Sequence, residues 1–149
     1  MKHINKIILQ TTMVLCVLLG LHVVARAQAD PIEGVWLNEE KDAKIQIYKG
    51  SNGLFYGKII WLKEPTENGA PKLDKNNPKD ERKKQQIMGL VILKEFEKDG
   101  KTYDDGTVYD PQNGKTYDAT ITYKGNTLDL RGYVGISLFG RTTTWERTK

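Results

Sequence analysis

From Ala43 to Lys49 apolar and polar residues alternate, with Ile45 and Ile47 on one face and Lys44 and Gln46 on the other. A period of two marks a strand with one buried side. The same period returns over Lys115–Lys124, where Tyr117, Ala119, Ile121 and Tyr123 oppose Thr116, Asp118, Thr120 and Thr122. Before and between these stretches the pattern predicts strands over Gly34–Leu37, Leu54–Leu62, Gly89–Lys98 and Thr102–Asp110, the last broken at Asp104-Asp105-Gly106. On Leu54–Leu62, placing Lys58 in water puts Phe55, Gly57, Ile59 and Trp61 on the inner face. Leu128 and Leu130 face in against Asp129 and Arg131, and Leu138–Arg147 is expected to carry Phe139, Arg141, Thr143 and Trp145 on one side.

The connections are as informative as the strands. GSNG at 50–53, KDGK at 98–101, the run VYDPQNGKTYDATI at 108–121 and KGN at 124–126 are tight-turn compositions. Asp-Gly and Asn-Gly between alternating runs signal hairpins. One connection differs: Lys63–Asn77 is polar and aperiodic. It is followed by Asn77, Pro78, Asp80 and Glu81, placed as the N-cap, first position and acidic first turn of a short helix over about Pro78–Gln86. Regular hairpin spacing through the rest predicts an all-β, antiparallel meander closed into a barrel of about eight strands with one short helix, a closure that leaves no exposed edge. A barrel of that size is either filled by side chains or holds one small ligand.

The N-terminal stretch follows other rules. Lys2 and Lys6 precede the apolar run Ile7–Val24, which ends at Ala25-Arg26-Ala27. This is the composition of a secretory signal peptide over residues 1–27, cleaved after Ala27 or, as second choice, after Ala29. The expectation is an exported protein, periplasmic or secreted, whose single domain is 28–149 and has no transmembrane segment after cleavage. Its removal changes the chemistry. Of the 23 basic residues 20 remain against all 19 acidic ones, a net charge of +1, so net charge gives no electrostatic case for nucleic acid or an anionic membrane. His3, His22 and Cys16 leave as well, so residues 28–149 contain neither histidine nor cysteine. Ser-His and Cys-His nucleophile pairs, disulfides and the usual zinc ligands are thereby excluded, and no cofactor or metal is expected. A calcium site at Asp110, Asn113 and Asp118 does not match the spacing of the known calcium loop. Catalysis by the acids Asp104, Asp105, Asp110 and Asp118 would need a partner group that the turns and wet strand faces do not supply.

The quoted segments together resemble the DUF2147 family. They are EGVW at 33–36, IQIYKGSNGLFYGKIIWLKEP at 45–65, DKNNPKDERKKQQIMGL at 74–90, GTVYDPQNGKTYDATI at 106–121 and LDLRGYVGISLFGRTTTWERT at 128–148. The resemblance implies an exported bacterial protein with a small closed barrel similar to lipocalins, and it brings no activity with it. Gly34-Val35-Trp36 is also similar to the lipocalin opening motif. That likeness implies that Trp36 closes one end of the barrel under a last-strand arginine, Arg147 or Arg141, with Trp145 in the same closing group.

Three readings of function follow. The first is a carrier of a small hydrophobic or amphipathic molecule, with Phe55, Trp61, Tyr117 and Tyr123 lining the barrel and Arg141 meeting a ligand anion. For the aromatics the alternative is plain core, and for Arg141 it is stacking on Trp36 or pairing with a core acid. The second is an envelope interaction module with a filled barrel, working through Lys63–Gln86 and its basic residues Arg82, Lys83 and Lys84. The third is a hydrolase using acids and tyrosines.

Overall fold

A computed structural model describes residues 28–148. Ten strands follow one another: β1 Gly34–Leu37, β2 Ala43–Lys49, β3 Phe55–Leu62, β4 Thr66–Glu67, β5 Ala70–Pro71, β6 Val91–Asp99, β7 Thr102–Asp110, β8 Lys115–Tyr123, β9 Thr127–Tyr133 and β10 Arg141–Arg147. β4 and β5 pair only with each other. The other eight close into a barrel in the order β1-β10-β9-β8-β7-β6-β3-β2, with antiparallel pairing throughout. Each strand therefore lies beside its neighbour in sequence, and β1 meets β10 to seal the cylinder. Among the described residues no helix is long and apolar enough to cross a membrane. The expected signal peptide, residues 1–27, lies outside the described residues.

Alternation puts Ile45, Ile47, Phe55, Ile59, Ala119, Ile121, Leu128, Leu130 and Trp145 inside, as the period of two requires. Three expectations fail, each for a local reason. In β3, Lys44 pairs with Trp61 and the next residue, Ile45, pairs with Ile59, so Ile60 is an extra residue. The bulge reverses the alternation beyond it. Trp61 consequently points outward, 37% exposed, with the Lys44 ammonium 5.3 Å from its ring. Phe139 is 80% exposed: β10 starts only at Arg141, and Ser137–Phe139 forms a turn of 3-10 helix ahead of it. The helix expected over Pro78–Gln86 reduces to one 3-10 turn at Asp80–Arg82, with no buried residue. A short helix needs an apolar stripe to pack, and this segment has none.

Asp104-Asp105-Gly106 bends β7 without ending it. Asp105 takes a φ of 57°, and the register against β8 slips between Tyr103 and Gly106. The slip sets Gly106 against Phe96, where a Cβ would come within 2.5 Å of three ring carbons. The chain there approaches its own core too closely for a side chain.

β1, β3, β7 and β9 all run toward the same end. The connections 38–42, 63–90, 111–114 and 134–140 therefore gather around one mouth. The opposite end carries residues 30–33 and the short turns.

Candidate ligand-binding site

The end opposite the mouth is sealed. Ile32 and Trp36 are completely buried, and Trp36 Nε1 donates to the Ile32 carbonyl at 2.9 Å. The Arg147 guanidinium stacks 4.2 Å above the Trp36 ring. Its Nη1 donates to the Glu33 carbonyl at 3.1 Å and its Nη2 to that of Pro31. Tyr123 meets Trp36 edge-on at 6.2 Å, and Phe55 meets Tyr103 edge-on at 5.0 Å. Tyr103 donates its hydroxyl to Asp30, which also accepts from Lys98 Nζ at 2.6 Å. Burial alone would raise the Asp30 carboxyl, but Lys98, Tyr103 and the Ile32 N–H outweigh it and hold it below the usual range. Burial, and then the Asp30 carboxylate, push the Tyr103 phenol well above its ordinary value.

The mouth end is hollow. A cavity of about 740 Å³ opens there. Ile45, Ile59, Ile92, Leu130 and Trp145, all buried, and the half-buried Val108 form its apolar floor, while Asn38, Glu40, Asp42, Lys72, Asp110, Tyr117, Thr143 and Arg141 are among the residues that bring polar and charged atoms to its sides and rim. Gly132 widens it: a Cβ at that position would meet Val108 and Tyr117 only at 3.5 and 3.6 Å.

Charge at the rim is unevenly satisfied. Glu67 is paired with Lys75, and Asp42 accepts from Asn38 Nδ2 at 2.6 Å. Asp110 accepts from the Gln112 N–H and from Asn113 Nδ2, both at 2.8 Å. Arg141 lines the same rim, exposed, and has no ion pair among the described residues. The mouth thus holds acids already engaged and two cations without an ion pair among the described residues, Lys72 and Arg141; the guanidinium is suited to binding a carboxylate, sulfate or phosphate through two parallel hydrogen bonds.

The 63–90 connection lies along one side of this mouth. Leu73 and Gln86 form an isolated bridge, the Asp74 N–H donates to the Gln85 carbonyl and the Ile87 N–H to that of Lys72. Asp74 is fully buried and accepts from Tyr109 Oη and Asn77 Nδ2, both at 2.7 Å. Burial, and then the Asp74 carboxylate, push the Tyr109 phenol up to about 12. Asn77 Oδ1 accepts from the Lys79 N–H in a local turn, but Asn77 does not cap a helix: the 3-10 turn has Lys79 at its N-cap and no side-chain cap. Asn76 Nδ2 donates to the Pro111 and Gln112 carbonyls, strapping the connection to the β7–β8 turn. At that turn Gly114 has a φ of 72° and lies against the Asn76 carbonyl, where no Cβ would fit.

The residues singled out from sequence therefore separate. Tyr117 and Arg141 line the cavity. Trp145 lines it too, apart from the Trp36–Arg147 plug in which it was grouped. Phe55 and Tyr123 lie in the sealed half and Trp61 outside the barrel. Arg82, Lys83 and Lys84 are exposed, and Lys83 pairs with Asp80 at 2.7 Å. Asp104 and Asp105 sit at the β7 bulge, Asp110 in a turn and Asp118 on the wet face of β8. Sequence reasoning missed the cavity and missed Asp74 and Tyr109 altogether, and it placed Asn77 as a helix cap and not as a partner of Asp74. The one signal was an acid and two asparagines crowded into LDKNN beside a proline.

Residues 34–147 match the family described as uncharacterized protein conserved in bacteria, DUF2147. Among solved structures the chain is similar to protein HP1028 of the human pathogen Helicobacter pylori, described as belonging to the lipocalin family. Identity is 26% and the TM-score 0.70, over 78% of this chain and 82% of that one. No curated protein matches it.

Proposed function

The chain belongs to the DUF2147 family, and from that premise we propose that it is an exported carrier of one small apolar or amphipathic molecule, held in the open half of the barrel. The observation that carries this reading is the cavity of about 740 Å³, with aliphatic side chains and Trp145 at its floor and polar and charged groups around its sides and rim. That volume is in the range of pockets that enclose most of a small ligand's surface, and an apolar floor under a polar mouth suits an amphipathic one. The apolar body of the ligand lies against Ile45, Ile59, Ile92 and Leu130, and a polar or anionic end sits at the mouth near Tyr117 and Arg141. Likeness to a protein described as a lipocalin supports the same reading. Export to the periplasm or beyond rests on the basic, apolar, Ala-Arg-Ala order of residues 1–27.

Native mass spectrometry of the protein purified from its own host tests the carrier. A noncovalent adduct at one per chain is expected, lost from a Thr143→Trp variant whose indole projects into the cavity and obstructs it. A bare chain that also takes up no added amphiphile would contradict it. Cell fractionation with the N-terminal mass tests export: a mature N-terminus at Gln28 or Asp30 in the envelope fraction is expected, and an intact Met1 in the cytosol would contradict it.

A further inference from the structure

The β9–β10 connection does what a solvated loop ordinarily avoids. Val134, Ile136, Leu138 and Phe139 are 77, 58, 76 and 80% exposed, four apolar side chains within six residues. They are displayed by a braced turn. Arg131 Nε donates to the Ser137 carbonyl at 2.7 Å, its Nη2 to that of Leu138 at 3.1 Å and its Nη1 to Thr142 Oγ1 at 2.9 Å. The Gly140 N–H closes the 3-10 turn on the Ser137 carbonyl at 3.1 Å. From Arg131 to Arg141 the two arginines are the only charged residues. The result is a projecting apolar tip with a cationic collar, set on the rim of the cavity that Arg141 also lines.

Shape and charge select the occupant. Stable protein interfaces bury roughly 1,200–2,000 Å² over complementary surfaces, and a single projecting turn presents a small fraction of that. A bilayer accepts apolar side chains of any outline, provided that they reach the acyl boundary and that cations meet the headgroups. We propose that residues 134–139 are a membrane-docking loop that inserts Val134, Ile136, Leu138 and Phe139 into a bilayer containing anionic phospholipid, with Arg141 at headgroup level. Docking this way turns the open mouth of the barrel toward the bilayer. The loop lies outside the apolar floor, so the proposal stands or falls independently of what the cavity binds.

The test is vesicle flotation with protein purified after expression of the whole chain, its N-terminus identified by mass. The vesicles contain phosphatidylethanolamine and phosphatidylglycerol. The comparison variant is Leu138→Ser with Phe139→Ser; both side chains are exposed, so the fold should persist, as circular dichroism would verify. Wild-type protein is expected to float, and the double variant to partition at least about tenfold more weakly, since each lost side chain removes apolar burial. Partitioning is expected to fall for Arg141→Gln and on vesicles of phosphatidylcholine alone. Equal flotation of wild type and double variant, or flotation of neither, would overturn the proposal. So would a wild type that self-associates in sedimentation while the double variant stays monomeric and neither floats, because the tip would then join two copies of the chain. The double variant should retain whatever probe affinity the cavity has, which separates this result from the carrier reading.

Discussion

Arg147 acts on three groups from one position: the Trp36 face and the carbonyls of Pro31 and Glu33. A cation on an aromatic face contributes about 0.5–2 kcal/mol, and charged hydrogen bonds about 1.5–3 kcal/mol each. Arg147→Ala is therefore expected to destabilise by at least about 2 kcal/mol in urea unfolding, while Arg141→Ala, at the open rim, is expected to change stability by less than about 0.5 kcal/mol. Gly106→Ala drives a methyl against the Phe96 ring and is expected to cost about 1–3 kcal/mol or more. Asp30 adds an acid-side dependence. Its carboxyl is held below the usual range in the folded state, so its contribution is present above the unfolded carboxylate pKa and lost as pH falls through the lower folded value. Asp30→Asn should flatten the decline in stability at acid pH, read from urea midpoints across that range. At this scale sequence periodicity served well for Ile45, Ile121 and Leu130. It served badly for Trp61, because one extra residue in β3 reversed the face of everything after it.

At the scale of the element, the 63–90 strap is the feature that sequence pattern described least well. Its order comes from Asp74 and Asn77, three residues apart, and from Tyr109, which lies 35 residues beyond Asp74 and meets it only because β7 and the strap pack together. A helix signature without an apolar stripe gave no hint of that, whereas the hairpins, whose turns and periods are local, were legible. Asp74→Ala removes the acceptor shared by Tyr109 and Asn77. Hydrogen exchange should then show lost protection at the Asp74 and Ile87 amides with the β8 and β9 amides unaffected; uniform loss across the barrel would contradict a local role. Alkali probes the same contact. The folded pKa of Tyr109, about 12, lies above the unfolded value of about 10. Its stabilisation is therefore complete below about pH 10 and lost as pH climbs toward the folded value. Tyr109→Phe should be less stable at neutral pH by about 1–2 kcal/mol and should lose less stability between those two pH values than the wild type.

For the whole molecule, an eight-stranded antiparallel closure was readable because every strand but one joins its neighbour through a short turn. What strand alternation could not settle was whether the cylinder is filled. It assigns Phe55, Tyr117 and Tyr123 to one interior. Their distribution between a sealed half and a hollow half depends on axial position, on the plug formed by residues 30–36 with Arg147, and on small residues such as Gly132. The barrel is thus asymmetric along its axis, packed where Trp36 sits and open where Arg141 sits. This asymmetry allows one domain to be stable and still hold a ligand.

The most direct measurement of that asymmetry is a fluorescence titration with an anionic naphthalene sulfonate, in wild type and in Thr143→Trp, at a pH where both are folded by near-ultraviolet circular dichroism. Saturable binding of one probe per wild-type chain, weakened at least about tenfold by the indole that obstructs the cavity, is the predicted result. Equal binding by both proteins, or none by either, would contradict a hollow, ligand-holding barrel.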